Sequence, residues 1–294
     1  MKQYLTNLKT ESYEHPFDRE ALNKVKKVPI LPSLVNVCMD WAMVRWRVLA
    51  MCGNNFRVTR DSCAKLHELA DDVFKTLQLN HVPNLYVEQG YYINAYTTGH
   101  EENAFIALST GSVDKLSDSE LAFVIGHESG HIKSGHLLYH VMIASLAQLI
   151  SRFPGASALS LPLMYWNRMS EFTADRAGLL ACQDLNAALS ATMKMSGLPE
   201  KYYSEASIEG FIKQARDFDQ TYSHGANSAM RLIEIVDEDH PWTVIRASEL
   251  IKWYESGDYQ RVLDGCSGKV CPVCGHNCSS GETRCPVCDH PFVD

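Results

Sequence analysis

The stretch S-D-S-E-L-A-F-V-I-G-H-E-S-G-H, from Ser117 to His131, decides the fold of this chain. Ser117 and Glu120 match the S-x-x-E pattern that caps the start of a helix, and an apolar run follows them directly. Glu128 projects from the apolar face of the predicted helix, where a carboxylate needs a charged partner or a metal ion. The other members of that face recur at spacings of three and four residues and are Leu121, Val124, Ile125 and Ile132.

Two histidines of this helix lie four residues apart and share one side of it, His127 and His131. Two imidazoles one turn apart can bind a single zinc ion, and the intervening Glu128 can reach a water on that ion. A five-residue pattern also arises by chance. Its position behind a helix cap and within an apolar stripe favours the functional interpretation, so we predict a catalytic zinc site with Glu128 as the general base.

The third zinc ligand is not supplied by the residues that directly follow this helix motif. A longer zinc signature would place a histidine ten residues after His127, where the chain has Leu137. His136 is one residue short of that position, and on a continuing helix it would point away from His127. We therefore expect a structural or surface role for His136.

A pair of acidic residues further along the chain is the better source of the third ligand. Glu171 and Asp175 share a helix face in N-R-M-S-E-F-T-A-D-R-A-G, where like charges repel unless a cation faces them. We predict that Glu171 binds the zinc and that Asp175 accepts an N–H from a zinc-binding histidine. The alternative is a solvated acidic face. Small neighbours would let this helix approach a partner closely, namely Ala174, Ala177, Gly178 and Ala181.

Two strands are predicted just before the metal motif. Tyr91–Tyr96 and Ala104–Ser109 have the pattern of two strands, and T-T-G-H-E-E-N between them suits a hairpin loop. The sequence therefore predicts a β-hairpin just before the metal-binding helix.

Several motifs together resemble one family of enzymes. G-H-E-S-G-H-I-K-S-G-H, followed by R-x-x-E-x-x-x-D at Arg168, Glu171 and Asp175, resembles the HtpX-type zinc metallopeptidases, whose relatives include the CAAX prenyl protease. I-N-A-Y-T-T-G, at Ile93–Gly99, is similar to the edge strand of that family, and H-P-W-T-V-I-R-A-S-E-L to its His-Pro motif with a following arginine. The resemblance covers about residues 60 to 250.

The resemblance implies an α+β fold of the gluzincin type, mostly helical with a small β-sheet beside the active-site helix. It implies that His240 stabilises the oxyanion and that Arg246 supports this site. Without the family, the pattern of His240 beside a proline favours a loop residue. The edge strand that carries Asn94, Ala95 and Tyr96 would pair with an extended peptide substrate.

The C-terminal tail has the spacing of a second metal site. Two C-x-x-C pairs with ten residues between them are formed by Cys271, Cys274, Cys285 and Cys288. Four thiolates suit a closed structural zinc, and the repeat looks like a zinc ribbon. Other candidate ligands nearby are Cys266, Cys278, His276 and His290. We therefore predict a metallopeptidase domain over 1–265 and a ribbon-like module over 266–294.

Composition and charge narrow the class of partners. The chain has 294 residues, 46% of them hydrophobic and 21% charged, which is ordinary for a globular protein with a real core. Its formal net charge of -8 disfavours sequence-independent nucleic-acid binding, which depends on Lys and Arg. A protein contact is the better prediction for the tail.

Localisation is predicted from the N-terminal residues, the cysteine spacing and the length of the apolar stretches. The N-terminus has no apolar signal core, and C-x-x-C spacing without a signal indicates a reducing compartment, most simply the cytoplasm. The apolar stretch Leu137–Ile150 is shorter than the roughly 18 to 20 residues of a membrane-spanning helix. We expect a buried helical hairpin there, with peripheral membrane contact as the alternative.

The sequence therefore predicts a zinc-dependent endopeptidase that hydrolyses extended or unfolded protein substrates, with one catalytic and one structural zinc. The alternative is a catalytically idle binding or chaperone-like protein that keeps the metal site. Glu128 favours the enzyme, because a pure binding protein has no need of a general base at that position.

Overall fold

The structure is a computed structural model that describes nine stretches of the chain, and everything below concerns them. His240, which the sequence assigned to the site, lies outside them, as does His276 among the alternative ligands of the tail. The described residues are 2–31, 41–100, 102–146, 150–151, 154–222, 241–266, 268–274, 277–279 and 282–292.

Helices make up most of the described part, as the predicted α+β class requires. Short 3-10 segments cover Pro154–Leu159 and Glu200–Tyr202. The helices are α1 (Thr10–Tyr13), α2 (Pro16–Lys26), α3 (Trp41–Asn54), α4 (Ala64–Thr76), α5 (Thr110–Lys115), α6 (Asp118–Lys133), α7 (Leu137–Ala144), α8 (Ser160–Cys182), α9 (Leu185–Met195), α10 (Ile208–Tyr222), α11 (Thr243–Glu255) and α12 (Asp258–Cys266).

The strands form a four-stranded sheet and a separate two-stranded ribbon. In the larger sheet the order is β1-β2-β4-β3, with β2 and β4 parallel and the other neighbours antiparallel. In the ribbon, β5 and β6 are antiparallel. The strands are β1 (Phe56–Val58), β2 (Asn84–Glu88), β3 (Ala95–His100), β4 (Asn103–Ser109), β5 (Gly268–Val270) and β6 (Asn277–Ser279).

The helix predicted at Ser117 forms with the predicted cap. The Ser117 hydroxyl accepts from the Glu120 backbone N–H, and the Glu120 carboxylate accepts from the Ser117 backbone N–H at 2.7 Å. Every residue from Glu120 to Ile132 is buried, so α6 is covered on all sides rather than on one face. Its neighbours are α4, α8, α9 and the sheet.

The close approach of α8 to α6 confirms the role predicted for its small residues. A Cβ added to Gly126 would lie 2.3 Å from the Cβ of Ala181, and one added to Gly130 would lie 2.5 Å from that of Ala177. The two helices therefore touch through glycine and alanine. This contact brings the acidic residues of α8 within reach of the histidines of α6.

The β-hairpin exists, but the first strand is not where the sequence placed it. The strand predicted over Tyr91–Tyr96 begins at Ala95 and continues to His100, which pairs with Asn103. Gly99 has φ 105°, a conformation that lets the ladder run on into a tight turn. Residues of the predicted loop are therefore part of the strands.

The N-terminal segment packs against the far end of α8. Its α2 helix contributes Ala21 and Val25 to a second apolar core, which also contains Met142 and Trp166. Asp18, from the same helix, is fully buried and accepts hydrogen bonds from α8. The segment is thus part of the domain that holds the histidines.

The chain returns to the N-terminus before the cysteine tail begins. The carbonyl of Cys266, at the end of α12, accepts hydrogen bonds from the backbone and hydroxyl of Thr6. The ribbon strands follow directly. In the described part of the chain, no helix is both long enough and apolar enough to cross a lipid bilayer.

Candidate metal centre

Three side chains predicted as zinc ligands converge. The Nε2 atoms of His127 and His131 lie 3.2 Å apart. The two carboxylate oxygens of Glu171 lie 3.4 Å from His127 Nε2 and 3.3 Å from His131 Nε2. Neighbouring ligand atoms of a tetrahedral zinc with bonds of about 2.0 to 2.1 Å are separated by about 3.3 to 3.4 Å. All three residues are buried, and the donor set therefore fits zinc in type and spacing.

His127 is held by a carboxylate and an arginine. Its Nδ1 lies 2.9 Å from Asp175, as the sequence predicted for one zinc-binding histidine. A carboxylate only accepts, so Nδ1 carries a hydrogen, and a bound zinc would take the lone pair of Nε2. Arg246 donates to both oxygens of Asp175, at 2.9 and 2.5 Å, and fixes the carboxylate in place.

His131 is held differently, by a residue whose role the sequence did not indicate. Its Nδ1 lies 3.0 Å from Nδ1 of His136, which is buried. The expectation that His136 points away from the site is wrong, because α6 ends at Lys133. Gly135, with φ 70°, then turns the chain back, and the His136 backbone N–H bonds the His131 carbonyl. That glycine was the only signal in the sequence.

The far side of His136 contacts the N-terminal helix. Its Nε2 lies 3.2 Å from an oxygen of Asp18, which also accepts from Thr173 and Trp166. No motif of the sequence pointed to Asp18. It lies far from the metal helix along the chain, and an isolated aspartate in an amphipathic helix has the pattern of a solvated residue.

The charges around the site favour a bound cation. Burial lowers the pKa of His127, but the charge of Glu171 and the hydrogen bond to Asp175 outweigh it and raise the pKa to about 10. Burial lowers the pKa of His131 to about 4. Burial raises the pKa of Asp175, but Arg246 and His127 together hold it down to about 2. Without a metal the carboxylates thus hold a proton on His127, and a bound divalent cation would take the place of that proton.

A cavity of about 190 Å³ opens beside these ligands. The predicted general base Glu128 lines it, together with Arg246, Asn94 and Ala95. Tyr96 faces a neighbouring cavity on the same strand instead. The remaining lining residues of the metal cavity include Phe123, Val124, Met195, Pro241 and Thr243.

At Ala95, the backbone of the edge strand faces the side on which this cavity lies. The Asn94 carbonyl accepts from the Ser109 N–H, so both backbone groups of Asn94 point towards β4. Because backbone direction alternates along an antiparallel strand, those of Ala95 point to the other side. That side of β3 bears no further strand within the described residues.

The four predicted cysteines of the tail also converge. Sγ atoms lie 3.4 Å apart in the Cys271–Cys288 pair and 3.6 Å apart in the Cys274–Cys285 pair. All four lie within 4.8 Å of one another and form no disulfide. A tetrahedral zinc with bonds of about 2.3 Å needs separations of about 3.8 Å, which this cluster approaches.

Fold and donor set together define a metallopeptidase of the HtpX type. Residues 61–254 match the family described as "Peptidase family M48". The chain therefore belongs to peptidase family M48. The match leaves the N-terminal residues and the cysteine tail outside it.

Curated relatives agree with this assignment. The chain is 28% identical over 263 residues to "Plastoglobule-localized metallopeptidase 48, chloroplastic" of Arabidopsis thaliana, covering 87% of this chain and 76% of that protein. It is 36% identical over 110 residues to "Protease HtpX homolog" of Salinibacter ruber, covering 36% and 39%. The homolog of Helicobacter acinonychis is 25% identical over 147 residues, covering 44% and 47%. The chain thus spans less than half of these HtpX homologs. No solved structure matches it significantly.

Proposed function

We propose that this protein is a zinc-dependent endopeptidase that cuts extended or unfolded protein segments. The observation that supports it best is the convergence of His127, His131 and Glu171 at ligand spacing, with Glu128 at the adjoining cavity. These donors leave one position of a tetrahedral zinc for water, as in catalytic rather than structural sites.

Side chains of this chain fill each role that the reaction needs. Bound zinc would supply a Lewis acid that polarises the peptide carbonyl and acidifies a water molecule. Glu128 takes the proton of that water and later delivers it to the leaving amine. Asp175, clamped by Arg246, keeps the lone pair of His127 on the metal. The assignment of His240 to the oxyanion stays a prediction.

The edge strand supports an extended substrate. A peptide lying beside β3 would exchange hydrogen bonds with the backbone of Ala95, whose N–H and C=O face away from β4. The cavity beside it has a volume of about 190 Å³ and is lined by both Ala95 and Glu128, so a chain paired with β3 would pass the general base. Folded proteins offer few such segments, so unfolded ones are the preferred class.

The test compares cleavage by wild type and by Glu128→Gln on an unfolded protein and on its folded form. We expect wild type to cut only the unfolded form, and the variant to lose about a hundredfold or more in rate with zinc retained. Glu209→Gln, an exposed glutamate, is the matched control and should behave as wild type. Equal cleavage by Glu128→Gln refutes the general base. Zinc binding without cleavage by wild type favours the idle binding protein.

The cysteine tail is proposed as a structural zinc module over 266–294 that contacts a protein partner. Its support is the Sγ cluster of Cys271, Cys274, Cys285 and Cys288. Wild type should contain two zinc ions per chain, and Cys274→Ser with Cys288→Ser should contain one and still cleave peptide. An unchanged zinc count in the double variant contradicts the proposal.

We also propose that the protein resides in a reducing compartment. Eight described cysteines are free, and thiols persist where disulfides do not form. The plant relative is named as plastoglobule-localized. For this chain we propose a cytoplasmic location. Peripheral contact with a membrane is the alternative. Cell fractionation with and without a high-salt wash separates the two.

A further inference from the structure

The N-terminal helix α2 reaches the metal centre through a continuous line of polar atoms. Asp18 is fully buried and accepts from Trp166 Nε1 at 2.8 Å, Thr173 Oγ1 at 2.6 Å and His136 Nε2 at 3.2 Å. Burying a carboxylate is costly unless such donors satisfy it. Three converging donors therefore hold Asp18 in one orientation, and His136 is one of them.

The direction of these hydrogen bonds fixes the hydrogen on each ring. An ionised carboxylate only accepts, so the Nε2 of His136 that faces Asp18 carries a hydrogen. Zinc binding through Nε2 of His131 requires that ring to carry its hydrogen on Nδ1. This Nδ1 lies 3.0 Å from Nδ1 of His136, which therefore accepts the hydrogen bond through its lone pair. The Nε2 of His131 is left with its lone pair, and it lies 3.3 Å from Glu171.

The two zinc-binding histidines thus have separate supports. Asp175 and Arg246, which hold His127, lie within residues 61–254 that match the family. His136 also lies there, but Asp18 comes from the segment before the match. The support of His131 is completed only when α2 docks on α8.

We infer that Asp18 and His136 are positioning residues of the metal centre, through which the N-terminal helix holds His131 ready to bind zinc. The inference depends on the zinc site of the proposed function. It assigns a role in zinc binding to a residue that precedes the family match. Neither residue belongs to the three-ligand cluster or lines the cavity beside it, so both act through the ring of His131.

The test measures zinc affinity of the full chain by competition with a chromophoric chelator. Asp18→Asn replaces one acceptor oxygen by an NH₂ group, and His136→Leu removes the link altogether. We expect both to weaken zinc binding by about 10- to 100-fold, the usual effect of losing a partner of a metal-binding histidine. His136→Gln keeps one donor and one acceptor and should bind zinc more tightly than His136→Leu.

The control for the helix itself is Glu20→Gln. Glu20 is an exposed residue of α2 that pairs with Lys24, and its variant should keep zinc affinity within about twofold of wild type, because an exposed ion pair contributes little. Unfolding of the zinc-free proteins is measured beside affinity. Wild-type affinity in Asp18→Asn and His136→Leu, whatever their stability, overturns the inference while the proposed zinc site stands.

A second measurement needs no variant. Nitrogen-15 spectra of the imidazoles in the zinc-loaded wild-type chain report which ring nitrogens carry hydrogen. We expect His136 as the Nε2–H form, with its Nδ1 accepting from His131. A hydrogen on Nδ1 of His136 contradicts the inferred hydrogen bonds from Asp18 through His136 to His131, even if no variant folds. Absence of zinc binding by wild type would instead sink the proposed function.

Discussion

Arg246 shows how one buried ion pair serves both the fold and the site. Its guanidinium donates twice to Asp175, and both side chains are nearly inaccessible to solvent. Solvent therefore compensates little of either charge if its partner is lost. Removing one partner of such a pair leaves the other charge buried and uncompensated.

Arg246→Met should therefore destabilise the zinc-free protein by about 3 kcal/mol or more. Arg216→Met is the matched control, because Arg216 pairs with Glu255 where both are more than half exposed. Loss of an exposed pair costs at most about 1 kcal/mol. Urea unfolding with a chelator present measures both. Similar losses in the two variants would show that the buried pair carries no special stability.

Glu249 provides a pH dependence away from the metal. Burial raises the pKa of Glu249, but hydrogen bonds from His15 and Lys252 outweigh it and hold the pKa at about 2. The folded value lies below the ordinary 4.5. This stabilisation is therefore fully present above about pH 4.5 and is lost as the pH falls towards 2.

Glu249→Gln should thus cost on the order of 2 kcal/mol of unfolding free energy at neutral pH. The difference from wild type should shrink steadily as the pH falls below about 4.5. Urea unfolding of the zinc-free proteins across this range measures it. A difference that does not change with pH would show that the Glu249 charge is not its source.

At the scale of elements, the crossing of α6 and α8 determines whether the ligands meet. Ala177 packs against the backbone of Gly130, and Ala181 against that of Gly126. A side chain at either glycine would push the helices apart. Glu171 would then move away from the histidines, since it lies on α8 and they lie on α6.

Gly130→Ala should lower both stability and zinc affinity, with a cost of about 1 to 3 kcal/mol from overpacking. Gly210→Ala is the matched control, because a Cβ there meets only Ser207 at an ordinary 3.6 Å, and helix propensity favours the alanine. Thermal unfolding and chelator competition measure the two effects. A Gly130→Ala protein with the stability and zinc affinity of wild type would show that the crossing tolerates a wider spacing.

The elements also show what the sequence could and could not predict. The cap of α6 and the small face of α8 follow from local patterns, and both formed as predicted. The turn at Gly135 could not be predicted in this way, because one glycine after a helix does not indicate which side chain the turn directs towards the site. The predicted start of β3 is wrong for a related reason, since the residues from Tyr91 to Asn94 have the composition of a strand but do not form one.

At the scale of the whole molecule, residues 2–31 pack into the domain that holds the metal-binding histidines. Asp18 is the clearest case. Its contact with His136 joins distant parts of the chain, and without relatives to compare, a single aspartate in a helix gives no signal. The boundary predicted at residue 265 stays a prediction, and Thr6 holds the end of α12 just before it.

One zinc ion shared by His127, His131 and Glu171 is the claim on which the whole account depends. Anomalous diffraction at the zinc edge from crystals of the full chain tests it most directly. A peak about 2.0 to 2.2 Å from both Nε2 atoms and from a Glu171 oxygen is expected. A zinc-loaded crystal with its peaks elsewhere, and none between these three side chains, would contradict it.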